Sequence, residues 1–196
     1  MVLWDQDCWW LKSRYLRRGR LVDAAASIIT SGAEIAPDWY DGHSGEADDD
    51  RVDHKEVIPY LEGVNAFLAE HDWVLERCQL EVINPIEKYV GHLDWLGYFK
   101  TMPAVKWVID MKCGPPPPEY ITMPRRINPL YVAYRRQVAL YKIALGTQTG
   151  IIANRGTLHL FDGKYQFVRH NDVRDVVQAL AMVRAYHDRI QFRGQG

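Results

Sequence analysis

Two apolar segments, 89–99 (YVGHLDWLGYF) and 105–111 (VKWVIDM), constrain this chain more than any other feature. Each alternates large apolar with polar or small residues, the period of a β-strand. In an antiparallel hairpin turning near Met102, opposed residues have numbers that add to 204, so Asp94 faces Asp110. Leu93, Trp95, Val105, Trp107, Ile109 and Met111 then share one side of the sheet. His92, Asp94, Lys106, Asp110 and Lys112 share the other. A one-residue slip would send every one of these side chains to the opposite side. Opposed carboxylates have Cβ atoms about 5 Å apart and repel each other, so a fold that keeps them needs a compensating charge. Hard oxygen donors of this kind suit Mg2+ or Mn2+, which bind through few carboxylates and complete their shell with water and substrate phosphate. Lys112, two residues past Asp110, can reach a water or phosphate beside such an ion. The plainer reading of the same residues is a bend-capping Asp94 and a solvated Asp110–Lys112 pair.

The periodicity predicts helices over 19–31, 57–70, 131–145 and 171–189. It predicts strands over 73–82, 89–99, 105–111, 150–161 and 164–169, the last two joined by an Asp162-Gly163 turn. The order ααβββαββα implies an α/β or α+β fold with one central sheet. A length of 196 residues suits a single domain over 1–196, with an N-terminal extension over 1–16 and an acidic loop over 33–54. With 47% hydrophobic and 25% charged residues the chain can bury a core, and a net charge of −1 neither requires nor forbids an anionic partner. No apolar run is long enough to span a membrane. Asp5 and Asp7 among tryptophans are wrong for a secretory signal, so a reducing cytoplasm is the expected compartment. Cys8, Cys78 and Cys113 form neither a disulfide framework nor a CxxC site, which disfavours a zinc-binding module.

The segments GHLDWLGY, WVIDMKCG and QVALYKIAL resemble the motifs of the PD-(D/E)XK nucleases, in the branch of phage-type exonucleases and recombination helicase-nuclease domains. That branch shows G-x-x-D, an apolar run into D-x-K-[TC]-G, and Q-x-x-x-Y on the following helix. Here these are Gly91 to Asp94, Asp110 to Gly114, and Gln137 with Tyr141. With the flanking segments RRGRLVDAAASIITSG and LHLFDGKYQFVRHNDVRDVVQALAMV, the resemblance covers about residues 17–186.

The resemblance implies a restriction-endonuclease-like core, a central mixed β-sheet flanked by helices. It implies that Asp94, Asp110 and the main-chain carbonyl of Met111 hold one or two Mg2+ or Mn2+ ions. Lys112 would orient or activate the water, and Gln137 and Tyr141 would support the site or touch the DNA backbone. Glu81, with Glu76 a weaker rival, stands where many members carry a further acid, a candidate ligand through water. Asp23 stands where many relatives carry a metal-binding histidine, and is a candidate ligand for a second ion. The four-cysteine iron–sulfur cluster of the CRISPR-adaptation relatives is not expected from three cysteines. The implied activity is metal-dependent exonucleolytic hydrolysis of DNA in phage or bacterial recombination and repair. The setting would be the cytoplasm, that of a bacterial host if the chain is phage-encoded. A structure-specific endonuclease and a catalytically inactive DNA-binding or assembly protein on the same fold are the alternatives. A homo-oligomer or a recombination partner protein is compatible with either.

DNA phosphates require cations. Two clusters qualify: Arg14, Arg17, Arg18 and Arg20, and then Arg125, Arg126, Arg135 and Arg136, which flank the Gln137 helix and are the better expectation. Trp4, Trp9, Trp10 and Tyr15 offer rings for stacking on unpaired bases, with core packing as their plainer role.

Overall fold

The computed structural model describes residues 9–36, 39, 52–121 and 126–193. Trp4, Cys8, the acidic run at 46–50 and Arg125 lie outside the described residues, as do the side chains of Trp9, Trp10, Arg14 and Tyr15. In chain order come helices α1 (Trp9–Thr30) and α2 (His54–Glu70) and strands β1 (Trp73–Asn84), β2 (Tyr89–Phe99) and β3 (Lys106–Cys113). The short strands β4 (Tyr120–Ile121) and β5 (Arg126–Ile127) follow, then α3 (Pro129–Thr149), β6 (Ala153–Phe161), β7 (Lys164–Arg169) and α4 (Val173–Arg193). The five long strands form one mixed sheet in the order β1-β2-β3-β6-β7, while β4 and β5 pair only with each other. The connection from β3 to β6 runs through α3, the kind of crossover that a parallel pair needs. This is the expected α+β arrangement with one addition, the β4–β5 ribbon, whose two-residue strands are too short to leave a periodic trace.

Local chemistry explains where the elements begin and end. Asp53 Oδ1 accepts from the Lys55 N–H at 2.9 Å and Glu56 Oε1 accepts from the Asp53 N–H at 3.3 Å, a capping box that starts α2 at His54. The hydrophobic period alone starts that helix at 57 and puts Pro59 in its first turn. The cap instead leaves Pro59 inside the helix, where its carbonyl accepts from the Gly163 N–H at 3.0 Å. Asn128 caps α3, with Pro129 following and Gly150 closing the helix in the left-handed conformation. Asp162 and Gly163 have φ of 49° and 71°, the left-handed pair that a two-residue hairpin turn requires.

The chain falls into two compact units. One takes Met1–His71, Lys112–Pro115 and Leu160–Tyr165. In it α1 packs on α2, burying Leu21, Val22, Ala25 and Ala26 of the first and Val57, Leu61, Val64 and Phe67 of the second. The other takes Asp72–Met111, Pro116–His159 and Gln166–Gly196. There α3 lies on the β1–β2 hairpin over a core of Val82, Leu93, Leu96, Val108, Ala144, Leu145 and Ala153, with Tyr141 packed against it. Each large aliphatic side chain so buried contributes about 1.5–3 kcal/mol. A second, aromatic layer joins Trp73 to Trp95 (6.2 Å between ring centres), Phe99 to Trp107 (5.6 Å) and Trp107 to Phe167 (5.6 Å).

Strict alternation along β2 fails between Leu93 and Trp95. Leu93 joins Leu96 and Val108 in the core beneath α3, whereas Trp95 stacks on Trp73. The expectation that Leu93 shares a side with Trp95, Trp107 and Ile109 is therefore corrected. The cause lies on β1: Gln79, which falls between the Cys78↔Trp95 and Leu80↔Leu93 pairs and so opposite Asp94, has a φ of 48°, and the register shifts between Leu75 and Arg77. A left-handed residue interrupts the pleat and twists the strands locally. The strand pair changes face at the position of the first aspartate.

Candidate active site

The β2–β3 ladder pairs Trp95 with Ile109, Leu96 with Val108, Gly97 with Trp107 and Tyr98 with Lys106. Each pair adds to 204, the register read from the sequence, and the next step sets Asp94 against Asp110. The main-chain ladder stops there. In its place the Met111 N–H donates to Asp94 Oδ2 at 2.6 Å, a short charge-assisted bond that fixes the carboxylate against β3. In an extended strand the N–H and C=O of one residue face the same neighbour, so the Met111 carbonyl is directed toward β2 as well.

Asp110 is 2% exposed, and its Oδ2 is closed off from solvent. Burying a carboxylate is costly unless positive charge or hydrogen bonds offset it. Val108 belongs to the core under α3, so Asp110, two residues on, shares the α3 side of the sheet. Lys112 is half-buried in the last turn of the pleat of β3, two residues after Asp110.

Helix α3 brings the other pair. Gln137 Nε2 donates to Tyr141 Oη at 2.7 Å, one helical turn away. The Tyr141 ring lies across Gly91 of β2, where a Cβ would stand 2.6 Å from Cε1 and 2.8 Å from Cδ1. Asp94, Asp110, Met111, Gln137 and Tyr141 thus belong to one compact unit, and the α3 side of its sheet carries Asp110 and the Gln137–Tyr141 pair.

Other expectations are redirected. Leu80 and Val82 point into the α3 core, so Glu81 leaves the sheet on the other side, where it meets His92 Nε2 at 3.2 Å. Glu76 bonds Lys106 Nζ at 2.5 Å, and that ammonium also sits 4.3 Å from the centre of the Tyr98 ring. Asp23 is half-buried on α1, in the other compact unit. Among the described residues no group of three or more His, Cys, Asp and Glu side chains is gathered to hold a metal ion. Two carboxylates with a main-chain carbonyl remain a fitting donor set for Mg2+ or Mn2+, whose remaining positions are usually taken by water and phosphate.

The arginines divide. Arg135 bonds Asp172 at 3.0 Å and Asp175 at 2.9 Å and is only 16% exposed. Arg136 bonds Gln178 Oε1 at 2.7 Å and Met182 Sδ at 3.0 Å. Both tie α3 to α4. Arg126 is exposed on β5, Arg17 is half-buried on α1, and Arg18 stacks over the Tyr60 ring at 5.1 Å.

The sequence reading missed a buried polar network beside α3. Arg155 bonds Asp175 at 2.9 Å, the Asp172 carbonyl at 2.6 Å and the Arg135 carbonyl at 2.9 Å. The Arg174 guanidinium and N–H, with Arg135 beside them, hold the Asp172 carboxyl well below the usual carboxylate range. Thr157 Oγ1 lies 3.2 Å from His159 Nε2 and 3.0 Å from His170 Nε2, and burial reinforced by Arg155 and Arg135 pushes His170 down to about 4. Arg155, Thr157 and His159 alternate along β6, and all three are buried. A polar residue at every second place from Arg155 to His159, with the apolar Leu158 and Leu160 around the last of them, was the available signal.

No known sequence family matches the chain, and no curated protein matches it. A solved structure does. The crystal structure of a "Putative exonuclease" from Eubacterium rectale matches with a TM-score of 0.60 at 14% identity. The match covers 89% of this chain and 66% of the other, so this chain spans just under two thirds of that protein's length. The likeness shows a shared fold. No described helix is long and apolar enough to cross a membrane.

Proposed function

We propose that this chain is a divalent-metal-dependent deoxyribonuclease of the PD-(D/E)XK type that hydrolyses phosphodiester bonds from DNA ends. The observation that carries the reading is the anchoring of Asp94 by the Met111 N–H at the register point opposite the buried Asp110. Asp94, Asp110 and the Met111 carbonyl are the oxygen donors for Mg2+ or Mn2+. A bound ion of this kind polarises a phosphate oxygen and lowers the pKa of water. Lys112 offers an ammonium that orients the attacking water and offsets phosphate charge. Gln137 and Tyr141, locked together on α3, hold the DNA backbone in place. Arg125 and Arg126 are assigned to phosphates further along the strand; the phosphate roles of Arg17 and Arg18 and the second-ion role of Asp23, all in the other compact unit, rest on the sequence alone. Preference for ends rests on the motif resemblance and the name of the structural neighbour, and a role in phage or bacterial recombination on the motif resemblance alone.

The test is cleavage of end-labelled single- and double-stranded linear DNA and of a closed circle, with Mg2+, Mn2+ or EDTA. Loss of linear DNA alone supports the exonuclease, and nicking of the circle as well supports an endonuclease on the same fold. No cleavage with any ion reduces the chain to a DNA-binding protein. Wild-type cleavage by Asp110→Asn would sink the site assignment.

A further inference from the structure

We propose that Gly91 is a positioning residue for the nuclease site, the seat on β2 that fixes Tyr141 and through it Gln137. This rests on the nuclease reading above. Three successive same-side residues of β2 hold α3. Tyr89 Oη donates to the Leu140 carbonyl at 2.8 Å. Leu93 is fully buried in the core with Ala144 and Leu145. Between them Gly91 lies under the Tyr141 ring, with room for no side chain: an added Cβ would come within 2.6 Å of the ring. Leu140 and Tyr141 are consecutive on α3, and Tyr89 and Gly91 are consecutive same-side positions on β2. The helix therefore cannot slide along the strand without breaking both contacts.

Tyr141 Oη accepts the Gln137 Nε2 bond, so the position of the ring sets the position of the amide. Asp94 stands three residues beyond Gly91 on the same strand, about 10 Å away. The Gly91-x-x-Asp94 spacing therefore acts as a ruler. The glycine docks the helix that carries Gln137 and Tyr141, and the aspartate presents the carboxylate. A methyl group at position 91 would tilt the rigid ring off the strand and carry the Gln137 amide with it, leaving Asp94 where it is.

The test is a double-mutant cycle. Gly91→Ala, Tyr141→Ala and the double variant, as full chains, are assayed on end-labelled linear DNA with Mg2+, with urea unfolding measured alongside. Gly91→Ala is expected to lower kcat by roughly tenfold to a hundredfold, with KM for DNA little changed. In the Tyr141→Ala background the same change is expected to cost nothing further, because residues that act through one contact are not additive. An equal loss in both backgrounds, or wild-type kcat for Gly91→Ala, overturns the proposal. If Gly91→Ala alone fails to fold, the double variant, with the ring removed, is expected to fold and to cleave like Tyr141→Ala. A double variant that stays unfolded also overturns it. A wild-type control that cuts no DNA under any condition overturns the nuclease reading and this proposal with it, and is told apart from the other failures by that control alone.

Discussion

The Met111 N–H donates to Asp94 Oδ2 at 2.6 Å, one step beyond the last ladder pair, Trp95 and Ile109. A side-chain carboxylate here replaces a main-chain acceptor, so Asp94 serves the fold as well as the site. The two roles separate by substitution. Asp94→Asn keeps an oxygen for the Met111 N–H, while Asp94→Ala leaves that donor without it. Urea unfolding is expected to show Asp94→Ala less stable by about 1–3 kcal/mol, with Asp94→Asn close to wild type. Both lose cleavage by at least roughly a hundredfold, because the charge is gone in each. Equal loss of stability in the two variants would mean that the bond does not hold the strands.

Asp110 illustrates a conflict between stability and activity. Asp110 is buried, and the register carried one step past Trp95–Ile109 sets it across from Asp94, where two carboxylates would repel. Asp110→Asn is therefore expected to raise Tm in EDTA while abolishing cleavage, the usual trade at a strained site. Mg2+ should stabilise the wild type by about 2.7 kcal/mol at a concentration of 100 Kd and leave Asp110→Asn unmoved. A thermal-shift titration checks both halves, and an Asp110→Asn protein that melts lower in EDTA contradicts the repulsion argument.

How much of this was legible in the sequence depends on the range of the interaction. The β2–β3 register came from the alternation of Trp95, Trp107 and Ile109 around two acids, and the Asp162–Gly163 turn from two residues, because both signals are local. The face change at Asp94 was invisible, since its cause is Gln79 on a different strand. Arg135 read as a phosphate contact because its neighbours are cationic. Its partners Asp172 and Asp175 lie far along the chain, and only the docking of α4 on α3 brings them together. The early start of α2 was readable from Asp53 and Glu56, but the apolar period begins later and prevailed.

The buried His170 predicts a pH dependence of stability. Its folded pKa is about 4, mainly through burial, with Arg155, Arg135 and His159 lowering it and Asp175 opposing them. The unfolded chain takes up that proton near 6.5. Between these values the unfolded state binds more protons than the native one, so stability rises with pH. The contribution is complete above about pH 6.5 and falls by about 3 kcal/mol on descending to pH 4. Unfolding free energies measured across that window should show this slope, and His170→Gln should flatten it. A slope unchanged in His170→Gln would assign it to other groups.

Arg126 and Arg135 should fail in different ways. Arg126 is exposed on β5, whereas Arg135 is held between Asp172 and Asp175. A phosphate contact releases counterions, so Arg126→Ala should weaken DNA binding on every sequence and reduce the slope of log affinity against log salt by about 1. Arg135→Ala should leave that slope intact and instead lower the unfolding free energy by about 1–3 kcal/mol, since two carboxylates lose a shared cation and α4 loses a tie to α3. Fluorescence anisotropy with labelled DNA at several salt concentrations, with EDTA present to prevent cleavage, reads the first effect, and urea unfolding reads the second. If Arg135→Ala instead changed the salt slope as Arg126→Ala does, with stability untouched, the guanidinium would belong to the DNA surface and the α3–α4 tie would be held by Arg136, with Arg155 of β6 bonding Asp175.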